Sequence, residues 1–177
     1  GCWSPDGRGA DVTPLDEALK QIAPSGVKLV FADHADKAAH VVQEADAVVL
    51  VVGEYPYRAG ENSNVSDLSL PPGQAELVET IAGLGKPIVL VVIAGRPLTI
   101  TKQVRLVDAI LYAWQPGTEG GAALGEILFG LESPSARLPV TFPRATGQVP
   151  IYYFQKNSGR PVTPDGMFKF RYVDLPN

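Results

Sequence analysis

Ala47-Val48-Val49-Leu50-Val51-Val52 runs straight into Gly53-Glu54-Tyr55-Pro56-Tyr57-Arg58-Ala59-Gly60-Glu61-Asn62-Ser63-Asn64. The first six residues carry no polar side chain and four of them are valine, so they predict a short strand with apolar groups on both faces. The stretch that follows holds carboxylates, tyrosines, an arginine and two glycines, which is loop chemistry. A fully apolar strand that ends abruptly in a polar loop points to a parallel sheet covered by helices, with ligands collecting at the carboxyl ends of its strands.

Working outward, residues 72–84 predict a helix stopped by Gly85, residues 88–93 a further strand and residues 109–114 another. A last helix is expected over 119–129, with Thr118 as N-cap and Gly130 just past its end. Upstream, Thr13-Pro14 reads as a helix start, and Leu15, Ala18, Leu19 and Ile22 then form one apolar stripe. Residues 27–31 read as a β-branched strand, and residues 36–44 as a helix with Ala38, Val41, Val42 and Ala45 on one side. The expected fold is α/β, an open and mostly parallel sheet sandwiched between helices over residues 1–130. After Gly130 the pattern gives way to proline-rich chain, so residues 131–177 predict an extended C-terminal tail packing on the sandwich or on another domain. Both ends carry loop chemistry rather than capped elements, which reads as an excised piece.

Composition narrows the function. The chain has 177 residues, 45% hydrophobic and 19% charged, enough for one soluble domain with a real core. A net charge of −4 and the lack of a Lys/Arg cluster argue against nucleic acid as a partner. The longest apolar run is too short to cross a bilayer, so no membrane span is expected. The lone Cys2 allows no internal disulfide and offers no metal-ligand spacing, and His34 and His40 have no Cys or carboxylate partners at such spacing, so no metal site is expected.

Chemistry belongs in the segments that follow each strand: 53–71, a long connection, then Ala94-Gly95-Arg96-Pro97, then 115–121 at a helix start. On residue chemistry alone, Glu54 reads as a carboxylate paired with Arg96 or bonded to loop backbone, and Glu61 as a solvated loop residue. Tyrosines beside carboxylates suit stacking on a sugar ring while an acid faces a glycosidic oxygen. Gly117 to Gly121 lacks the Lys-Ser or Lys-Thr of a phosphate loop and the Gly-x-Gly-x-x-Gly spacing of a dinucleotide site, and reads as close backbone packing. No Gly-x-Ser-x-Gly elbow is present. Trp114 reads as core, and Trp3, in a Gly-rich loop, as either core or a sugar platform.

Taken in order, Val51-Val52-Gly53-Glu54, Gly60-Glu61-Asn62-Ser63, Asp67-Leu68-Ser69-Leu70-Pro71, Gly85-Lys86-Pro87, Gly95-Arg96-Pro97-Leu98, the run from Ala113 to Gly121, Leu128-Phe129-Gly130 and Arg137-Leu138-Pro139-Val140-Thr141-Phe142-Pro143 resemble the C-terminal α/β sandwich domain of glycoside hydrolase family 3. The resemblance covers nearly the whole chain, and Gly147 to Tyr153 extends it into the tail.

That resemblance implies the acid/base-supplying domain of a retaining β-glycosidase of β-glucosidase or exo-β-glucanase type. An N-terminal barrel domain of the same enzyme would carry the nucleophile aspartate, and a β-glucoside or β-glucan would be the substrate. It implies Glu61 as the acid/base, no cofactor, a periplasmic or extracellular site, and a Trp3 loop like one that contributes an aromatic to the aglycone side; the loop's own residue chemistry adds Tyr57 and Arg58 to Trp3 as expected sugar contacts and leaves Glu54 and Arg96 as structural loop residues. Against the family pattern, the first strand and the barrel have no counterpart in this sequence, so the chain alone is expected to be inactive. The competing readings are a noncatalytic carbohydrate-binding or interaction module of the same fold, and a nucleotide-binding flavodoxin-like domain, against which the missing phosphate loop counts.

Overall fold

A computed structural model of the chain describes residues 8–154, without the side chains of Ala35 and Asp36. Its centre is a parallel sheet of three strands in the order β1-β2-β3: β1 Val48–Gly53, β2 Ile88–Ile93 and β3 Ala109–Tyr112. Val48 pairs with Ile88 and Gly53 with Ile93, so β1 and β2 end level, and Leu90 pairs with Ile110 across the second ladder. Four helices accompany them, α1 Leu15–Ile22, α2 Ala35–Glu44, α3 Gln74–Ala82 and α4 Gly120–Leu128.

The apolar runs become strands because burial on both faces rewards every residue of a valine-rich stretch. β2 shows this best: Leu90, Val91 and Val92 are fully buried although they alternate between faces. On one face Val52, Leu90 and Val92 pack with Leu70, Val78, Leu98 and Ile100, and Ile88 joins Val42 and Ile81 in a second cluster beneath α2 and α3. Burying such side chains contributes about 1.5–3 kcal/mol each, which makes this strand and α3 the anchor of the fold.

Helix α4 lies against α1 at close range. A Cβ at Gly121 would stand 2.1 Å from the carbonyl oxygen of Thr13, and one at Gly125 2.8 Å from Ile22 Cδ1. The Gly-rich start of α4 is therefore a packing device. Helix boundaries fall a residue or two inside those expected: Pro14 rather than Thr13 occupies the N-cap position of α1, and Glu119 rather than Thr118 that of α4.

Three expectations need correction. Residues 27–31 form no strand; the segment pairs with nothing in the sheet, and Val27, Val30 and Phe31 are exposed. β-branched content records a fit to a half-buried pleated surface and supplies no partner, so it cannot by itself make a strand. Nor is the sheet covered evenly: Val49 and Val51 of β1 are 42% and 47% exposed, on the face opposite Leu50 and Val52. β3 also stops at Tyr112 and not at 114, because Trp114 turns to a φ of 55° and leaves the ladder half-buried.

Past Gly130, residues 131–154 contain one 3₁₀ turn, Thr146–Gln148. This stretch is tied to the sandwich: Phe142 packs against Tyr112 and Trp114, Thr101 Oγ1 donates to the carbonyl of Arg144, and the Leu68 amide donates to Thr146 Oγ1. Ile151 is half-buried, whereas Tyr153 is 93% exposed and Phe154 also faces solvent. The remainder of the expected tail lies outside the described residues.

Candidate active site

The three strand ends meet at one edge of the sheet. Past the ladder, the Glu54 amide still donates to the carbonyl of Ile93, and the Ala94 amide to that of Trp114, so the loops leaving β1, β2 and β3 start side by side. A small hollow between them is lined by Glu54, Tyr55, Ala59, Gly95 and Gln115. The exit of β1 is fixed from α3, where the Gln74 side chain accepts from the Gly53 amide at 2.7 Å and donates to the Gly53 carbonyl at 2.9 Å.

Glu54 lies beneath the loop with its side chain only 2% exposed. Its Oε1 accepts from Arg96 Nη1 at 2.5 Å and its Oε2 from the Gly95 amide at 3.3 Å, while Arg58 Nε lies 3.6 Å from Oε1. A buried carboxylate with two guanidinium groups and a backbone donor is compensated where it stands, and breaking such a pair leaves an unpaired buried charge. Arg96 reaches further, donating from Nη1 to the Arg58 carbonyl at 2.8 Å and from Nη2 to the Ser63 carbonyl at 3.0 Å.

Glu61 occupies the far end of the same loop. The Ser63 amide donates to the Gly60 carbonyl at 3.1 Å, closing a turn with Glu61 and Asn62 at its tip. Asn62 has a φ of 60°, the left-handed conformation that a type II turn requires at its third residue and that asparagine tolerates. Glu61 is exposed and makes no ion pair or hydrogen bond with any other described residue. The two carboxylates of one loop thus differ in kind.

Tyr57 is 74% exposed and stacks on Tyr55 with ring centroids 5.6 Å apart. Arg58 turns its guanidinium inward, with Nη2 donating to the Asp67 carbonyl and Nε buried without a hydrogen-bond partner. Trp3 lies outside the described residues. His34 and His40 are both exposed, and among the described residues no three His, Cys, Asp or Glu side chains gather as metal ligands would.

Two residues of the site, Tyr112 and Gln74, carry no mark in the sequence, and the marked Asp67 shows its role only in the structure. Tyr112, on β3, donates its hydroxyl proton to the Arg96 carbonyl at 2.6 Å and accepts from the Leu98 amide at 3.1 Å. Burial pushes its phenol up to about 12. Asp67 Oδ1 accepts from the Ser69 amide, and that hydrogen bond holds its carboxyl below the usual range. The Gln74 clamp follows a long loop with no local motif announcing it.

Residues 1–173 match the model of the glycosyl hydrolase family 3 C-terminal domain. The chain belongs to that family. It is similar to a periplasmic β-glucosidase of Salmonella typhimurium, 44% identical over 144 residues, which cover 80% of this chain and 19% of that protein. It is also similar to a β-xylosidase of Formosa agariphila, 37% identical over 82% of this chain and 21% of the relative. A β-glucosidase from Listeria innocua, solved with isofagomine, superposes with a TM-score of 0.87 at 32% identity, over 97% of this chain and 25% of that one. The family 3 domain described here thus spans about a fifth to a quarter of the length of these relatives.

Proposed function

We propose that this domain supplies the acid/base carboxylate, Glu61, to the sugar-cleaving site of a longer retaining β-glycosidase. The observation that carries the reading is the contrast within one loop: Glu54 is buried and fully engaged, whereas Glu61 stands at the tip of a turn, exposed and unpaired among the described residues. A proton donor must be free to meet a glycosidic oxygen, and only Glu61 is.

The partner group is an aspartate on an N-terminal barrel domain of the same enzyme. Retention of configuration needs two carboxyl groups about 5 to 5.5 Å apart, one attacking the anomeric carbon and one protonating the departing oxygen. Bringing the turn tip against the barrel assembles that pair and excludes water. After the glycosyl-enzyme forms, the same carboxylate takes a proton from water. No metal or organic cofactor is needed, and the domain by itself does not turn over substrate. Tyr57 offers a ring to stack on the sugar and Trp3 a second, while Arg58, its guanidinium turned beneath the loop, serves the sugar side by holding that loop in place. The substrate is a β-glucoside or β-glucan, and the names of the relatives extend the class to β-xylosides. The relative named as periplasmic supports a periplasmic or extracellular location, and no described helix is long and apolar enough to cross a membrane.

The test is Glu61→Gln in the full-length enzyme on aryl β-glucosides of graded leaving-group ability. Loss of about 100-fold or more in kcat/KM on phenyl β-glucoside, with little loss on dinitrophenyl β-glucoside, is expected of a missing general acid. A uniform loss across the series, or the graded loss with Glu54→Gln in its place, overturns the assignment.

A further inference from the structure

We infer that Arg96 is the positioning residue of the acid/base loop, fixing where Glu61 stands by holding both shoulders of the loop that carries it. The inference rests on the acid/base reading of Glu61 and adds how that group is held. Three of the loop's own acceptors converge on the one guanidinium: Glu54 Oε1 at the start, the Arg58 carbonyl before Gly60, and the Ser63 carbonyl directly after the turn. Ser63 is also the residue whose amide closes the turn on Gly60. Glu61 therefore projects from a turn whose base is bonded to a side chain from the neighbouring strand's exit.

A loop of this length, whose one regular element is the single 3₁₀ turn Pro56–Arg58, would otherwise sample many conformations, each fixed residue costing roughly 1–2 kcal/mol of entropy. Arg96 meets that cost in advance with a planar, permanently charged fork that one Lys ammonium cannot reproduce. Arg96 is itself held: the Tyr112 hydroxyl bonds its carbonyl, the Leu98 amide bonds the same hydroxyl, and Tyr112 is part of β3. The chain of contacts runs from a sheet strand, through one backbone turn and one guanidinium, to the base of the Glu61 turn. A donor displaced by about 1 Å loses on the order of 100-fold in rate, so the clamp has a catalytic consequence although Arg96 touches no substrate.

The experiment compares Arg96→Met, Arg96→Lys and Glu61→Gln in the full-length enzyme. It measures kcat/KM on the graded aryl β-glucosides together with hydrogen exchange over residues 54–63. Arg96→Met is expected to lower kcat/KM by about 30- to 100-fold on phenyl β-glucoside and by less than about 3-fold on dinitrophenyl β-glucoside. Exchange should rise at 59–63 and stay unchanged in β1 and β2, and Arg96→Lys should recover only part of either effect. Equal loss on every substrate, or unaltered exchange at 59–63, overturns the proposal. If Glu61→Gln itself shows no dependence on the leaving group, the acid/base reading fails, and the clamp then stands or falls on the exchange data. Should the methionine variant not fold, Tyr112→Phe asks the same question one bond further back, with the same two readouts.

Discussion

The side-chain amide of Gln74 grips Gly53 from both directions, accepting from its amide at 2.7 Å and donating to its carbonyl at 2.9 Å. Gln74 is the first residue of α3 and Gly53 the last of β1, so the helix that packs the core also sets the direction in which the loop bearing Glu54 and Glu61 leaves the sheet. Gly53 pairs with Ile93 of β2 on one side, and on the outer edge of β1, where no strand lies among the described residues, a side chain supplies the hydrogen bonds a further strand would have made.

Replacing Gln74 by Leu keeps the volume and strands both polar groups of Gly53. A loss of about 1–3 kcal/mol of stability is expected for a buried group left unsatisfied, read as a lower urea midpoint at unchanged slope. A change below about 0.5 kcal/mol would mean that water replaces the clamp without cost.

Gly53→Ala should be far worse. Its φ is 151°, and a Cβ there would stand 1.8 Å from the Ile93 carbonyl oxygen, which belongs to the β2 backbone and cannot move aside. More than about 4 kcal/mol, or no soluble protein, is expected. Gly9→Ala is the control, since a Cβ at Gly9 meets nothing within 4 Å.

Tyr112 makes stability fall at high pH. Burial raises its phenol from 10.0 to about 12, so between those values the unfolded chain loses a proton that the folded chain keeps. The contribution is intact below pH 10 and is lost as pH climbs towards 12. Unfolding free energy measured across that window should decline in the parent and decline less in Tyr112→Phe; parallel curves would show that the phenol titrates freely.

Tyr57→Ala tests the sugar platform. In the full-length enzyme a stacking ring worth about 0.5–1.5 kcal/mol should raise KM for a β-linked disaccharide by about 2- to 10-fold. Values of kcat on aryl glucosides should stay near those of the parent. An unchanged KM on the disaccharide would remove Tyr57 from the site.

Sequence periodicity located β1, β2, β3 and all four helices to within a few residues, because fully apolar valine-rich runs and capped amphipathic stretches leave few alternatives. It failed at residues 27–31, where apolar β-branched content was present and a pairing partner was not. Of the site, Glu54 and Arg96 were legible as a contact because each follows a strand by one to three residues and adjacent parallel strands end level. Gln74 and Tyr112 were not, since a lone Gln at a helix start and a Tyr inside an apolar strand look the same whether or not they bond distant backbone. Glu61 was singled out by the family pattern, and its local setting, a turn with Asn at a left-handed position, explains how it comes to stand free.

The open side of β1 has a practical consequence. Val48–Gly53 is an uncharged, proline-free strand with no partner on its outer edge among the described residues, and it shows Val49 and Val51 to solvent on one face. That is a template for intermolecular strand addition, the starting point of ordered aggregates. When this domain is produced by itself, its yield should depend on concentration rather than on fold stability. A single Lys at Val49 or Val51 should keep it monodisperse, as read by light scattering, while leaving the melting temperature nearly unchanged.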